Sequence, residues 1–189
     1  MNQRMWPKLR LVALWLSVCV LALGCRPIVR PDGGTGLLPV GSPAPDLAGT
    51  TLDGKQLHLK DVRGHQAVVY FYPKDETPGC TKEACAFRDA FDNYAARQVT
   101  VFGVSGDSLE SHRAFSENHK LPFPLVADEG GDLARAYGVP STFGMASRVT
   151  FLIDESGRVA HVWPDVDPGV HADQVLTVID RSHAKAAAP

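Results

Sequence analysis

Phe71-Tyr72-Pro73-Lys74-Asp75-Glu76-Thr77-Pro78-Gly79-Cys80-Thr81-Lys82-Glu83-Ala84-Cys85 is the stretch on which both fold and chemistry turn. It opens at the end of a continuous apolar run, Ala67-Val68-Val69-Tyr70-Phe71-Tyr72, the pattern of a strand buried on both faces. Thr77 is a suitable helix N-cap and Pro78 suits the first helical position. Cys80, Ala84, Phe87, Phe91 and Tyr94 then fall on one face at helical spacing, which predicts a helix from Pro78 to about Arg97. Cys80 sits in its first turn, where unpaired N–H groups and the positive end of the helix dipole favour a thiolate over a thiol. The position suits an ionised nucleophile; the plainer alternative is a small apolar residue in the core stripe.

Cys85 sharpens the choice. Two residues five apart in a helix are separated by about 7.5 Å along the axis and about 140° around it. That puts their Cα atoms beyond the roughly 7 Å limit for a disulfide. The pair can bond only if the first turns unwind, so the spacing predicts redox-coupled local unfolding. A structural disulfide is the other reading, although closing so short a separation staples little chain. Zinc fits poorly, because the seven histidines show no ligand-like pairing with two thiols.

Outward from this stretch the pattern alternates. Val99 to Val104 reads as a strand, and Asp107 with Glu110 as an N-cap and its partner, opening a helix to about Lys120. A short helix over Asp132–Tyr137 stops at Gly138. Val149–Ile153 and Val159–Trp163 flank Asp154-Glu155-Ser156-Gly157 as a hairpin, and Asp53-Gly54 marks another within Thr51–Leu57. Val175, Leu176, Val178 and Ile179 give a last helix its apolar side. Strand–helix alternation followed by a hairpin and a helix implies an α/β fold layered on one sheet.

The N-terminus is a targeting segment. Arg4, Lys8 and Arg10 precede the apolar run Leu11–Leu23, which is too short for a stable membrane span and reads as a secretory signal. The run ends in Ala22-Leu23-Gly24-Cys25, which resembles a bacterial lipobox; that resemblance implies cleavage after Gly24 and a diacylglyceryl group on Cys25. Arg26 in the next position implies outer-membrane rather than inner-membrane sorting if the cell is Gram-negative. The mature chain would keep 165 residues, a formal charge of −5 instead of −2, and only Cys80 and Cys85 as free thiols. The whole chain is 44% hydrophobic and slightly acidic, which excludes a disordered protein and gives no pull toward nucleic acid. Residues 25–45 are rich in proline and glycine without a hydrophobic period and read as a tether. The expected plan is a signal over 1–24, a tether over 25–45, one domain over 46–183 and a disordered tail over 184–189.

Pro73-x-x-x-Thr77-x-x-Cys80, with a second cysteine at 85, resembles the active-site signature of the peroxiredoxins, in particular the peroxiredoxin Q or bacterioferritin comigratory protein branch. Asp46-Leu47, Gly103-Val104-Ser105 and Arg148-Val149-Thr150-Phe151-Leu152-Ile153-Asp154 extend the resemblance over about residues 40–180. It implies a thioredoxin-like fold, a central mixed sheet flanked by helices, with an N-terminal β-hairpin extension. It implies that Cys80 is the peroxidatic cysteine and Cys85 the resolving one, and that Thr77 and Arg148 complete the peroxide site with Pro73 shielding it. Glu83, one turn beyond Cys80, could pair with an arginine or lie exposed on the helix face. The substrates implied are hydrogen peroxide and alkyl hydroperoxides. A thioredoxin-like dithiol protein would be the reductant, no cofactor would be needed, and the chain would be a monomer. Two other classes compete: an exported thiol–disulfide oxidoreductase acting on proteins, and a copper-handling thioredoxin-fold lipoprotein, whose cysteines would be spaced C-x-x-x-C.

Overall fold

The structure, a computed structural model, describes residues 28–47, 49–50, 52 and 56–186. The expected signal segment and Cys25 lie outside these residues, as does the expected Asp53-Gly54 turn. The elements in chain order are β1 (Gly49–Thr50), β2 (Gln56–Leu57), a 3-10 turn (Leu59–Val62), β3 (Ala67–Phe71), α1 (Pro78–Asp89), α2 (Phe91–Ala96) and β4 (Thr100–Ser105). They continue as α3 (Leu109–His119), β5 (Leu125–Ala127), α4 (Asp132–Ala136), β6 (Ser141–Thr142), β7 (Met145–Ala146), β8 (Val149–Ile153), β9 (Val159–Trp163) and α5 (His171–Ala186).

The apolar run at 67–71 becomes the centre of a mixed five-stranded sheet of order β5-β4-β3-β8-β9. β3 pairs in parallel with β4 and antiparallel with β8. Alternation then sorts its side chains onto two faces. Val68 and Tyr70 pack with Ala84 and Phe87 of α1, Phe115 of α3 and Ile179 of α5. Val69 and Phe71 face a second layer with Phe102, Phe151, Ala134 and Tyr137. Burial on both sides is why this strand is uniformly apolar. The 154–157 turn closes as expected, with Gly157 at φ 80° and Asp154 Oδ1 accepting from Ser156 and Arg158 amides at 2.9 Å. β1 and β2 pair antiparallel, consistent with the expected N-terminal hairpin.

Four expectations change. The helix over 78–97 is two helices, broken at Ala90 (φ −93°, ψ 3°), and beyond the break buried Tyr94 donates its hydroxyl to Ala172 O at 2.7 Å. Ser108, not Asp107, caps α3, accepting from the Ser111 amide; Asp107 is occupied by the Asp75 amide and the Ser105 hydroxyl. α5 runs on to Ala186, past the start of the expected tail, because its apolar face stays against the sheet through Ile179 and Ser182 bonds back to Gln66.

The fourth change is the largest. Residues 28–45 are not a free tether but are stitched to the domain. Gly41 donates to Val159 O at 2.8 Å, Leu38 to Tyr137 O at 2.9 Å, and the Tyr137 hydroxyl to Pro45 O at 2.8 Å. Buried Arg30 gathers the carbonyls of Thr35, Gly36 and Leu37. Gly138 (φ 69°) must be glycine, since a Cβ there would lie 1.9 Å from Gly36 O. Proline and glycine serve here as turn formers in a closely laid strap, with backbone bonds replacing a hydrophobic period. Leu38 is 3% exposed, within the second core layer. Leu38→Ala should therefore cost about 2–4 kcal/mol in urea unfolding; an unchanged midpoint would restore the tether.

Candidate active site

The β3–β8 register builds the site. Val149 lies opposite Phe71, so Arg148 comes level with the chain leaving β3, where α1 begins. A residue 68 positions from Cys80 is thereby delivered to it: Arg148 Nη2 donates to Cys80 Sγ at 3.2 Å. The same guanidinium donates through Nη1 to Glu83 Oε2. Gly79 makes room for this approach, since a Cβ there would stand 3.3 Å from Arg148 Nη2. A guanidinium N–H binds a thiolate more strongly than a thiol, because a charged acceptor strengthens the bond.

Thr77 occupies the N-cap position with extended backbone, and Pro78 follows at the first helical position. Its hydroxyl does not cap the helix; it donates to Lys74 O at 2.9 Å. The Thr77 lone pairs therefore remain as acceptors. With no side-chain cap, the Gly79 and Cys80 amides stay uncommitted at the positive end of the helix. Pro73 is half-buried just beyond β3, and Cys85 is half-buried and unbridged within the continuous α1. Cys80 is 1% exposed and packs in the core stripe with Ala84 and Phe87. It combines a place in the first helical turn with a core residue's enclosure.

Glu83 resolves to the paired alternative. It is fully buried, and burial pushes its carboxyl up to about 7 against the opposing pull of Arg148. Its second oxygen, Oε1, has no partner. The Tyr70 hydroxyl is likewise buried without a partner and is held protonated by burial and by Glu83. His171, buried at the start of α5, bonds Thr150 Oγ1 at 2.8 Å and is pushed down to about 4 by burial, with Arg148 adding to the shift, so it is neutral at pH 7.

A further set of residues holds the loop between β3 and α1, and sequence reasoning did not find it. Asp75 is 4% exposed; it accepts from the Tyr72 hydroxyl at 2.7 Å and the Ser111 hydroxyl at 2.8 Å, and pairs with His112 Nδ1 at 2.8 Å. These partners hold its carboxyl below the usual range in spite of burial. Glu76, at φ 58°, is tied to Asn118 and His119 at 2.9 Å each. Two adjacent carboxylates thus fasten the loop carrying Pro73 and Thr77 to α3. The only sequence signal was the pair of acids itself, with partners some 40 residues away.

Residues 40–162 match the AhpC/TSA family. Over 144 residues the chain is 42% identical to the peroxiredoxin bcp of Coxiella burnetii, covering 72% of this chain and 95% of that protein. Over 142 residues it is 43% identical to the chloroplastic peroxiredoxin Q of Sedum lineare, covering 74% and 76%. Among solved structures it is similar to the bacterioferritin comigratory protein of Xanthomonas campestris, described for its alkyl peroxide reduction activity. That match has TM-score 0.67 and 36% identity, over 72% of this chain and 90% of that one. Peroxidoxin BcpB of Mycobacterium tuberculosis matches with TM-score 0.70 and 30% identity, over 75% and 96%.

The Glu83 carboxyl gives a pH signature. Its folded value of about 7 lies above the ordinary 4.5, so the folded state holds the proton more tightly than the unfolded chain. The resulting stabilisation is full below the ordinary value and lost as pH rises through the folded one. Wild type should lose stability relative to Glu83→Gln between pH 4.5 and 7, on the order of 1–3 kcal/mol by urea unfolding. Parallel pH profiles for the two proteins would contradict it.

Proposed function

The chain belongs to the AhpC/TSA family and is a peroxiredoxin, and we propose that it reduces hydrogen peroxide and alkyl hydroperoxides through Cys80, with Cys85 resolving the product. The observation that carries this reading is the single guanidinium, Arg148, bonded to the sulfur at the start of α1.

The Cys80 thiolate attacks the outer peroxide oxygen. The S–O bond forms as the O–O bond breaks, and the departing hydroxide or alkoxide takes a proton to leave as water or alcohol. Charge moves from sulfur onto the leaving oxygen, and Arg148 and the uncommitted amides of the first turn are the donors that strengthen as it does so. Thr77, whose own proton is engaged by Lys74 O, accepts from the peroxide O–H and so orients it. Cys80 becomes a sulfenic acid. After the first turns of α1 unwind, the Cys85 sulfur displaces the sulfenic oxygen as water and forms the disulfide. An external dithiol then reduces the bridge by exchange and is itself oxidised.

The location belongs to this proposal too. The basic n-region, short apolar run and Cys25 support export and lipid anchoring, on the outer membrane if the cell is Gram-negative. The reductant is then a thioredoxin-like protein on the same side of that membrane, and the enzyme acts as a monomer.

Stopped-flow mixing of reduced protein with peroxide tests the chemistry. Cys80→Ser should abolish peroxide consumption. Cys85→Ser should complete one turnover and accumulate sulfenic or sulfinic Cys80; wild-type sustained turnover with a dithiol would remove Cys85 from the cycle. Arg148→Ala should slow the first step about 10²–10³-fold, and an unchanged second-order rate would remove Arg148 from it.

A further inference from the structure

The turn between β6 and β7 places an aromatic side chain where folding gives it nothing. Phe143 is 96% exposed and sits at φ 53°, followed by Gly144 at φ 79°. Two-residue hairpin turns of this kind favour Asn-Gly, because both positions take left-handed backbone. Met145 on the same hairpin is 43% exposed. A single exposed apolar residue needs no explanation, but the position of this one does. A hollow of the surface is lined by Ile28, Gly131, Val139, Ser141 and Gly144, so the hairpin and the first described residue share one rim.

That rim is fixed. Gly36 donates to Ile28 O at 3.0 Å, and Arg30 clasps the turn behind it. Cys25 lies three residues before Ile28, a span of at most about 10 Å, whereas a free tether of 20 residues would give about 25 Å. A lipid on Cys25 therefore holds one particular face against the bilayer. Val29, 58% exposed, lies on that approach.

We infer that the β6–β7 hairpin, led by Phe143, is a bilayer-contact surface that seats in the lipid interface beside the Cys25 anchor. The inference rests on the lipidation reading above. Aromatic side chains settle at the membrane–water boundary, with apolar faces entering the headgroup region by about 5–10 Å. Exposed Glu129 and Asp132 flank Arg135 at this rim, so contact depends on apolar insertion and not on attraction to anionic headgroups. Arg148 follows β7 by two residues, so the sheet end carrying Cys80 is the end turned toward the lipid.

The test uses the mature lipidated chain in phosphatidylcholine vesicles with brominated acyl chains. F143W is compared with E155W, a control in the exposed β8–β9 turn at the other end of the sheet, each read as the emission added over Trp163. Phe143 is so exposed that F143W leaves the fold alone, and circular dichroism checks this. Brominated lipid should quench the F143W emission about threefold or more and leave E155W unchanged. No quenching of F143W, or equal quenching of both, with the diacylglyceryl mass present on Cys25, overturns the contact and leaves lipidation standing. A bare Cys25 overturns both. An F143W shift that tracks protein concentration without vesicles would seat a second copy on the hairpin and overturn the contact.

Discussion

One guanidinium holds the site together. Arg148 binds the Cys80 sulfur and the Glu83 carboxylate at once, and both partners sit on α1 while the arginine enters from the strand antiparallel to β3. The central sheet register therefore decides which residue meets the sulfur: a one-residue slip of β8 would carry Arg148 to the other face. Glu83 and the sulfur share the same cation. A carboxylate this deeply buried is costly, and its raised proton affinity shows that Arg148 offsets only part of that cost.

The second constraint is helical geometry. An intact α1 keeps Cys80 and Cys85 apart, and the same helix encloses the sulfur among core side chains. In the proposed cycle its first turns open only after peroxide has reacted, which lets the two sulfurs meet. The loop before α1 is held differently: Asp75 and Glu76 fasten it to α3 through bonds that involve no residue of α1. Asp75 and Glu76 would thus keep their ties to α3 if the first turns of α1 opened as proposed, whereas Thr77, whose carbonyl accepts from the Thr81 amide, stands at the junction of the two.

What was legible in the sequence was local. The run at 67–72, the Thr77-Pro78 helix start and the Asp154–Gly157 turn each carry their physics within a few residues, and the described structure contains the elements they imply. Arg148 came only from resemblance, because nothing near it in the chain reveals which residue it will meet. Asp75 with His112 was invisible for the same reason. The strap over 28–45 was misread because composition distinguishes a flexible linker from a packed one poorly: proline and glycine suit both, and the backbone bonds to Val159 and Tyr137 that decide the matter are tertiary. The break at Ala90 left no mark on an apolar stripe that runs straight through it.

The central claim is that oxidation trades the start of α1 for a bridge. Hydrogen exchange of the α1 amides, compared between the reduced protein and protein oxidised by one equivalent of peroxide, tests it most directly. The account predicts a mapped Cys80–Cys85 disulfide together with lost protection in the first turns of α1, while β3 and β4 stay protected. A disulfide between these cysteines with α1 protection unchanged would contradict it.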